Sequence, residues 1–335
     1  MIRVAVDALG GDRAPGEVVA GALEAASDAI QPVLFGPAGI DAGGLELIET
    51  TQAIAMDEKP ADAVRAKPDS SLVRACVAVR EDRADAVVSA GNTGAVLAAG
   101  LVHIRRLRGV NRPGIAVVLP SRRGPSVLID SGANADARAE HLVQFAHMGS
   151  VFAEEILGRR RPEVRLLSIG EEPEKGNQLV LEAHELLERA DGLNFAGNTE
   201  GRALLDGAAD VVVCDGFTGN ITLKLLEGTI RAVLDALRTE IRASRRGKLG
   251  GLLIRPAARG LRKRLDPDTY GGAYLLGLRG LAVIAHGNSG RTAIANAIRL
   301  AARGVEHDVV GRLQERLEER VLASARSATP DRQVR

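Results

Sequence analysis

An α/β fold with a buried, mostly parallel sheet is what this sequence predicts, and three observations predict it. Short β-branched runs recur along the chain and end in Gly, Asp or Asn. Helix-length stretches separate them. The runs are near-continuously apolar, where a half-exposed strand would alternate. In chain order the strand candidates are "IRVAVDA" (2–8), "QPVLFG" (31–36), "ADAVVSAG" (84–91), "GIAVVLP" (114–120), "PSVLIDSG" (125–132), "EVRLLSIG" (163–170), "GLNFAG" (192–197), "DVVVCDG" (210–216) and "LAVIAHG" (281–287). The helices between them include "EVVAGALEAASDAI" (17–30), "EHLVQFAHMGSVFAEEIL" (140–157) and "NQLVLEAHELLERA" (177–190). Sheets of this kind hold ligands outside the carboxyl ends of their strands, so chemistry is sought there.

One segment departs from the alternation. "ITLKLLEGTIRAVLDALRTEIRA" (221–243) carries Leu226, Ile230, Val233, Leu234 and Leu237 at helical spacing, the pattern of a long amphipathic helix. From Ile241 to Leu265 there follow nine Lys or Arg and no Asp or Glu, interleaved with Leu249, Leu252, Leu253, Ile254, Leu261 and Leu265. A basic face with interleaved leucines suits an anionic partner with an apolar component, either a lipid surface or an acidic protein carrying a greasy group. The plainer alternative is a solvated charged face. The expected organisation is one α/β catalytic domain over 1–325, with 221–265 protruding from it and a disordered tail over 326–335.

Composition narrows function by exclusion. The 335 residues are 45% apolar and 26% charged, ordinary for a globular protein with a real core. Aromatics are 2% and Trp is absent, which argues against nucleic-acid binding on stacking platforms. A net charge of +1 favours no partner class. Cys76 and Cys214 stand far apart, too few for a disulfide scaffold or a thiolate zinc site. There is no HExxH motif, and His141 and His147 fall on opposite sides of a helix, so no metal is expected. The chain opens directly on a strand-like run and has no apolar stretch of spanning length, which gives a cytoplasmic expectation.

The turns carry the remaining signal. Gly-Asn pairs follow apolar runs at Gly91-Asn92, Gly176-Asn177, Gly197-Asn198, Gly219-Asn220 and Gly287-Asn288. Such turns either present backbone N–H nests to an anion or simply turn the chain. Asp7, Asp130 and Asp215 also close strands, as bases, ligands or caps. Cys214 stands beside Asp215, which raises a thiol pKa, so it reads as a small buried apolar residue. Lys175 and Lys224 are the cations nearest the nests, and His286 closes the last apolar run.

Seven blocks go further: "VAVDALGGDRAPGEVVAGAL", "VSAGNTGAVLAAGL", "RPGIAVVLP", "DSGANADARAEHLVQFAHMGSVFAEE", "IGEEPEKGN", "DVVVCDGFTGNITLKLLEG" and "YGGAYLLGLRG…AHGNS". In order and spacing, to about residue 310, they resemble the bacterial phosphate acyltransferase of phospholipid synthesis. Departures are Ser131, where an apolar residue is usual, and an unusually Arg-rich protrusion. The resemblance implies a three-layer, Rossmann-like α/β/α sandwich akin to isocitrate and isopropylmalate dehydrogenases. It implies transfer of an acyl group from acyl-acyl-carrier protein to inorganic phosphate without a cofactor. It also implies a homodimer, peripherally membrane-associated, that hands acyl phosphate to the membrane glycerol-3-phosphate acyltransferase. A short-chain acyl-CoA phosphotransacetylase is the alternative.

Phosphate is already an anionic nucleophile, so the site must supply a cradle, oxyanion donors and placement more than a strong base. On this reading Lys175, His286, Asp215 and Asp130 are the catalytic set, the two aspartates ordering the network. Gly91, Asn92, Thr93, Asn134, Asn198, Gly219 and Asn220 would bind phosphate and thioester. Leu249, Leu252, Leu253, Ile254 and Leu261 would meet the membrane or the acyl chain.

Overall fold

The computed structural model describes residues 1–265 and 271–317, so the proposed tail over 326–335 lies outside the described residues. The strands are β1 (Ile2–Asp7), β2 (Ile30–Gly36), β3 (Glu46–Glu49), β4 (Ala86–Ser89), β5 (Gly114–Leu119), β6 (Ser126–Ile129), β7 (Glu163–Ser168), β8 (Asn194–Glu200), β9 (Val211–Val213), β10 (Ala273–Leu276) and β11 (Leu281–Ile284). The α-helices are α1 (Gly16–Ala25), α2 (Pro60–Ala66), α3 (Ser71–Arg80), α4 (Thr93–Ala99), α5 (Ala139–Leu157), α6 (Gln178–Glu188), α7 (Gly216–Ala243), α8 (Arg245–Leu265) and α9 (Arg291–Glu306). Each of the nine runs read as strands overlaps one, β2 beginning a residue earlier and β8 running on to Glu200. Two strands went unread, for physical reasons. β3 is a short edge strand with exposed glutamates at both ends, and β10 is "AYLL", leucine-rich and set between glycines.

The eleven strands of the described residues join one sheet in the order β3-β2-β1-β4-β11-β10-β5-β6-β9-β7-β8. β10 lies antiparallel to β11 and to β5, and β5 lies antiparallel to β6. The parallel set β3-β2-β1-β4-β11 therefore runs one way and the parallel set β6-β9-β7-β8 the other. The sheet has two carboxyl edges, facing opposite ends.

Small aliphatic residues let both faces close. Val4, Val6, Val88 and Val283 point into one core with Val18 and Ala22 of α1, Phe145 and Met148 of α5 and Ile294 and Ile298 of α9. Ala5, Val87 and Ala282 point the other way, against Leu72 and Cys76 of α3 and Val96 of α4. Farther along that second face, Leu128, Val212 and Leu119 bury Leu223 of α7. Three layers result. Helix α7 crosses its face from the end of β9 toward the opposite edge and continues beyond it, returning as α8. No helix among the described residues is long and apolar enough to cross a membrane.

Candidate active site

At the carboxyl edge of β1, β4 and β11, glycine-bearing loops stack backbone on backbone. A Cβ on Gly10 would lie 2.7 Å from Asp7 Oδ2 and 2.8 Å from both Gly91 N and Ser89 Oγ, so only glycine fits. Beneath it, buried Asp7 accepts hydrogen bonds from Ser71 Oγ (2.6 Å) and Ser89 Oγ (2.7 Å). Burial pushes the Asp7 carboxyl above its ordinary range, and these bonds pull it back. Ser89 Oγ in turn accepts the Gly91 N–H at 3.0 Å. Asn92 caps α4: its Oδ1 accepts the Ala95 N–H, and its Nδ2 donates to the carbonyls of Met56 and Glu58. The side-chain amide is therefore occupied. What the turn leaves open is exposed Thr93 and the first-turn N–H groups of Thr93 and Gly94, the Ala95 N–H being taken by the cap.

His286 stands at the same edge, and its partner is a residue that the sequence did not single out. Its Nε2 lies 3.1 Å from Oε1 of Glu227 in α7, a close polar contact without hydrogen-bond alignment. Lys224 Nζ donates to the other oxygen of Glu227 at 3.0 Å. The Glu227 side chain is only 12% exposed. Burial alone would raise its pKa, yet the His286 and Lys224 contacts win and hold it below the usual carboxylate range. Orientation of an imidazole by a carboxylate is the arrangement that prepares its other nitrogen for proton transfer. Glu227, His286, Gly287 and Asn288 close the inner end of a groove of about 1100 Å³ between α7 and α8.

The other carboxyl edge, at β6, β9 and β7, is built differently. Asp130 is fully buried and accepts five hydrogen bonds. The N–H groups of Ile115, Gly132 and Ala133 donate to Oδ1 at 3.0, 3.2 and 2.9 Å, and the backbone and side chain of Asn134 both donate to Oδ2 at 2.8 Å. Burial pushes this carboxyl up and those donors pull it down. Every donor is an N–H, and all five come from its own turn or from the start of β5. Asn134 Nδ2 also donates to the Pro113 carbonyl. Asp215 caps α7 through Thr218, accepting its N–H at 2.9 Å and its hydroxyl at 2.6 Å. Gly219 touches the Asp130 carbonyl so closely that any Cβ would collide with it, and a Cβ on Gly216 would lie 2.6 Å from Asn134 N. The first turn of α7 thus rests directly on the 130–134 turn. Cys214 is buried there, its thiol pushed up by burial and by Asp130 and Asp215.

Asn220 and Lys175 share this second edge with their side chains exposed. Asn220 lies beside Gly132. Lys175 sits on the turn after β7, held by its own N–H to the Glu172 carbonyl (3.1 Å) and by Ser168 Oγ donating to its carbonyl (2.8 Å). Asn198 was expected at a strand end, but β8 continues past it. Gly197, at φ 87°, lies where the register with β7 slips by one residue, so the Gly-Asn pair is a bulge within the strand. Asn198 is 1% exposed; its Oδ1 accepts from His184 Nδ1 at 2.9 Å and its Nδ2 donates to the Glu172 carbonyl, so it supports the Lys175 turn from beneath.

The expected site residues therefore fall into two groups. Lys175, Asp130, Asn134, Asp215, Gly219 and Asn220 gather at one edge, and Gly91, Asn92, Thr93 and His286 at the other. Within one chain Lys175 and His286 are not brought together: their strands run oppositely and stand five positions apart, roughly 24 Å at ~4.8 Å per strand. Leu249, Leu252, Leu253, Ile254 and Leu261 are all exposed on α8, Leu253 at 76%. Among the described residues no group of His, Cys, Asp and Glu is arranged to hold a metal.

Known proteins share this sequence and fold. A family model described as "Fatty acid synthesis protein" matches residues 2–312. A phosphate acyltransferase from Heliobacterium modesticaldum is 47% identical over 332 residues, covering 96% of this chain and 99% of that protein. In fold, the chain is similar to a phosphotransacetylase from Staphylococcus aureus (TM-score 0.58, 17% identity, 91% of this chain and 94% of that one). It is also similar to a 4-hydroxythreonine-4-phosphate dehydrogenase from Klebsiella pneumoniae (TM-score 0.51, 16% identity, 91% and 99%). With that match across nearly its whole length, the chain belongs to the fatty acid synthesis protein family and is a phosphate acyltransferase.

Proposed function

We propose that the acyl donor is a long-chain acyl-acyl-carrier protein and that the product is the long-chain acyl phosphate, early in phospholipid synthesis. The observation that carries this reading is the α7–α8 hairpin, apolar and basic, rooted at His286. A short-chain acyl-CoA needs no such extension, whereas an acidic carrier with a greasy cargo matches both its charge and its leucines.

A phosphate oxygen attacks the thioester carbonyl, charge collects on the carbonyl oxygen, and the C–S bond then breaks to release the pantetheine thiol. His286, set against Glu227, is the group for the proton that the departing sulfur needs. Lys175 and Asn220 hold phosphate and stabilise the charge that develops as it attacks. The first turn of α4 at Thr93 contributes backbone donors to the thioester. Asp130, Asn134 and Asp215 act through position, by fixing the turn on which Gly219 and Asn220 are carried. Because Lys175 stands far from His286 within a chain, the two meet across a homodimer, the Lys175 edge of one copy facing the His286 edge of the other. The exposed α8 leucines, Leu249, Leu252, Leu253, Ile254 and Leu261, rest on the membrane, where the glycerol-3-phosphate acyltransferase uses the product.

The test is release of carrier thiol from palmitoyl-acyl-carrier protein, with and without phosphate, with hydroxylamine trapping of the product. Phosphate-dependent release with a trapped acyl group is the expected result. Turnover of acetyl-CoA alone would move the protein to short-chain chemistry. For the membrane, flotation with anionic vesicles should be lost when Leu252, Leu253 and Ile254 become Glu, and retained flotation would end that part of the reading.

A further inference from the structure

A second basic surface stands apart from the hairpin. Between Asp85 and Asp130 the sequence holds six arginines and no acidic residue, four of them from Arg105 to Arg112. This loop leads into β5, and the β10–β11 turn brings Arg279 beside it. Arg105, Arg106, Arg108 and Arg279 line a recess of about 500 Å³, with Arg112 next along the loop. All five are exposed, and among the described residues none is paired with a carboxylate. The loop beneath them is fastened. Arg106 donates through its guanidinium to the Asn111 carbonyl, and Arg279 Nε donates to the Arg106 carbonyl at 3.1 Å. Gln144 of α5 clips the loop from the other side, donating to the Gly109 carbonyl and accepting the Asn111 N–H, both at 2.9 Å. Among the described residues the side chains of Arg105, Arg108 and Arg112 are held by no hydrogen bond. Arg105 also stands at φ 73°, ψ 160°, a conformation almost reserved for glycine. A merely solvated charged face requires neither the fastening nor the strain.

We propose that this recess and its arginines are the docking surface for the acidic body of the acyl carrier protein. The inference rests on the carrier-dependent reading above and adds where the carrier sits. Charge, shape and position each argue for that occupant. Unpaired guanidinium forks suit the carboxylates of an acidic protein surface, two N–H groups to each, and complementarity of that kind steers the encounter. A bilayer is flat and is met by interleaved apolar residues, as on α8. Here the surface is recessed, and of the apolar residues lining it Val102 alone is exposed, at 53%. Position links the recess to the site. Arg112 adjoins Pro113, whose carbonyl accepts Asn134 Nδ2 at 2.7 Å, and the 130–134 turn lies beside Asn220. Since β5 begins where antiparallel β6 ends, the arginines share the sheet edge of Lys175 and Asn220. A carrier seated there holds its pantetheine arm toward that edge and, in the homodimer proposed above, toward the His286 edge of the other copy.

The experiment reverses the three arginines whose side chains hold nothing in the fold, combining Arg105→Glu, Arg108→Glu and Arg112→Glu. It compares palmitoyl-carrier protein with palmitoyl-pantetheine, which has the same thioester and no protein. The expected result is a fall of roughly a hundredfold in kcat/KM for the carrier substrate, within the 10- to 10³-fold range that electrostatic steering spans. Saturated kcat and turnover of palmitoyl-pantetheine should be unchanged. An unchanged kcat/KM for the carrier substrate, or an equal fall for both substrates, would overturn the docking surface and leave the acyl-transfer reading intact. Should the triple variant fold poorly, Arg105→Gly removes one charge while relieving the backbone. It should raise KM for the carrier substrate alone, and an unchanged KM would count against the surface. Binding of fluorescently labelled holo-carrier protein, without an acyl group, requires no turnover. Weaker binding to the variants than to wild type upholds the surface even if transfer to phosphate were absent. Binding equal in both, or missing from both, rejects it. Loss of flotation with anionic vesicles while carrier binding persists would make the arginines a lipid site and likewise reject it.

Discussion

The two carboxyl edges of the sheet are written in the same vocabulary, Gly, Asn and Asp after a β-branched strand, and use it differently. At the β6-β9-β7 edge the acidic residues are structural. Asp130 gathers five N–H donors and Asp215 caps α7, so the carboxylates hold a turn rigid beneath Asn220. At the β1-β4-β11 edge, Asp7 is buried under Gly10 in the same way, but an acid from elsewhere, Glu227, comes to His286 and keeps its contact at the inner end of a groove. The lesson is that a strand-end aspartate marks where a loop is fastened. Exposed Lys175, Asn220 and Thr93, and His286 held against Glu227, are the groups left at the two edges to meet a ligand.

This contrast can be broken most severely through these groups. Lys175→Ala and His286→Ala should each lower kcat by roughly 10² to 10³, as removal of one transition-state donor does, with the melting temperature unchanged. Turnover near wild type in either folded variant would remove that residue from the chemistry. The fastening side is tested by Gly219→Ala. Its new methyl group meets the Asp130 carbonyl, and such overpacking should cost about 3 kcal/mol of stability. An unshifted denaturant midpoint would mean that α7 does not rest on that turn.

The smallest effect concerns Glu227. Its folded-state pKa is depressed, so its contribution to stability is present above its unfolded value of 4.5 and is lost as pH falls. Wild type should therefore lose more stability than Glu227→Gln between about pH 5 and pH 3. Parallel pH profiles for the two proteins would mean that the His286 and Lys224 contacts are not formed in solution.

Much of the fold was legible in the sequence because β-branched runs and helical spacing are local signals. Nine strands, the long α7 pattern and the exposed leucines of α8 were all visible that way. The edge strand β3 and the glycine-flanked β10 were not, since neither has a β-branched run. Site residues were legible by position and illegible by role. Nothing local distinguishes Asn92, whose amide caps α4, from Asn220, whose amide is exposed. The difference lies in which backbone groups arrive from distant segments. Glu227 was missed because it stands mid-helix, twelve residues past Asp215, and reaches His286 only because α7 crosses the sheet. Its one sequence signal is the Lys224–Glu227 pair, three residues apart inside an apolar stretch.

The central claim is that the two edges act on one another's substrate across two copies of the chain. The direct measurement co-expresses Lys175→Ala and His286→Ala chains under different tags, isolates the mixed dimer through both and assays palmitoyl transfer to phosphate. One of its two composite sites would keep both residues, so the account predicts recovery to about half of wild-type activity. A mixed dimer no more active than either parent would contradict it and place the two residues in separate roles within each chain.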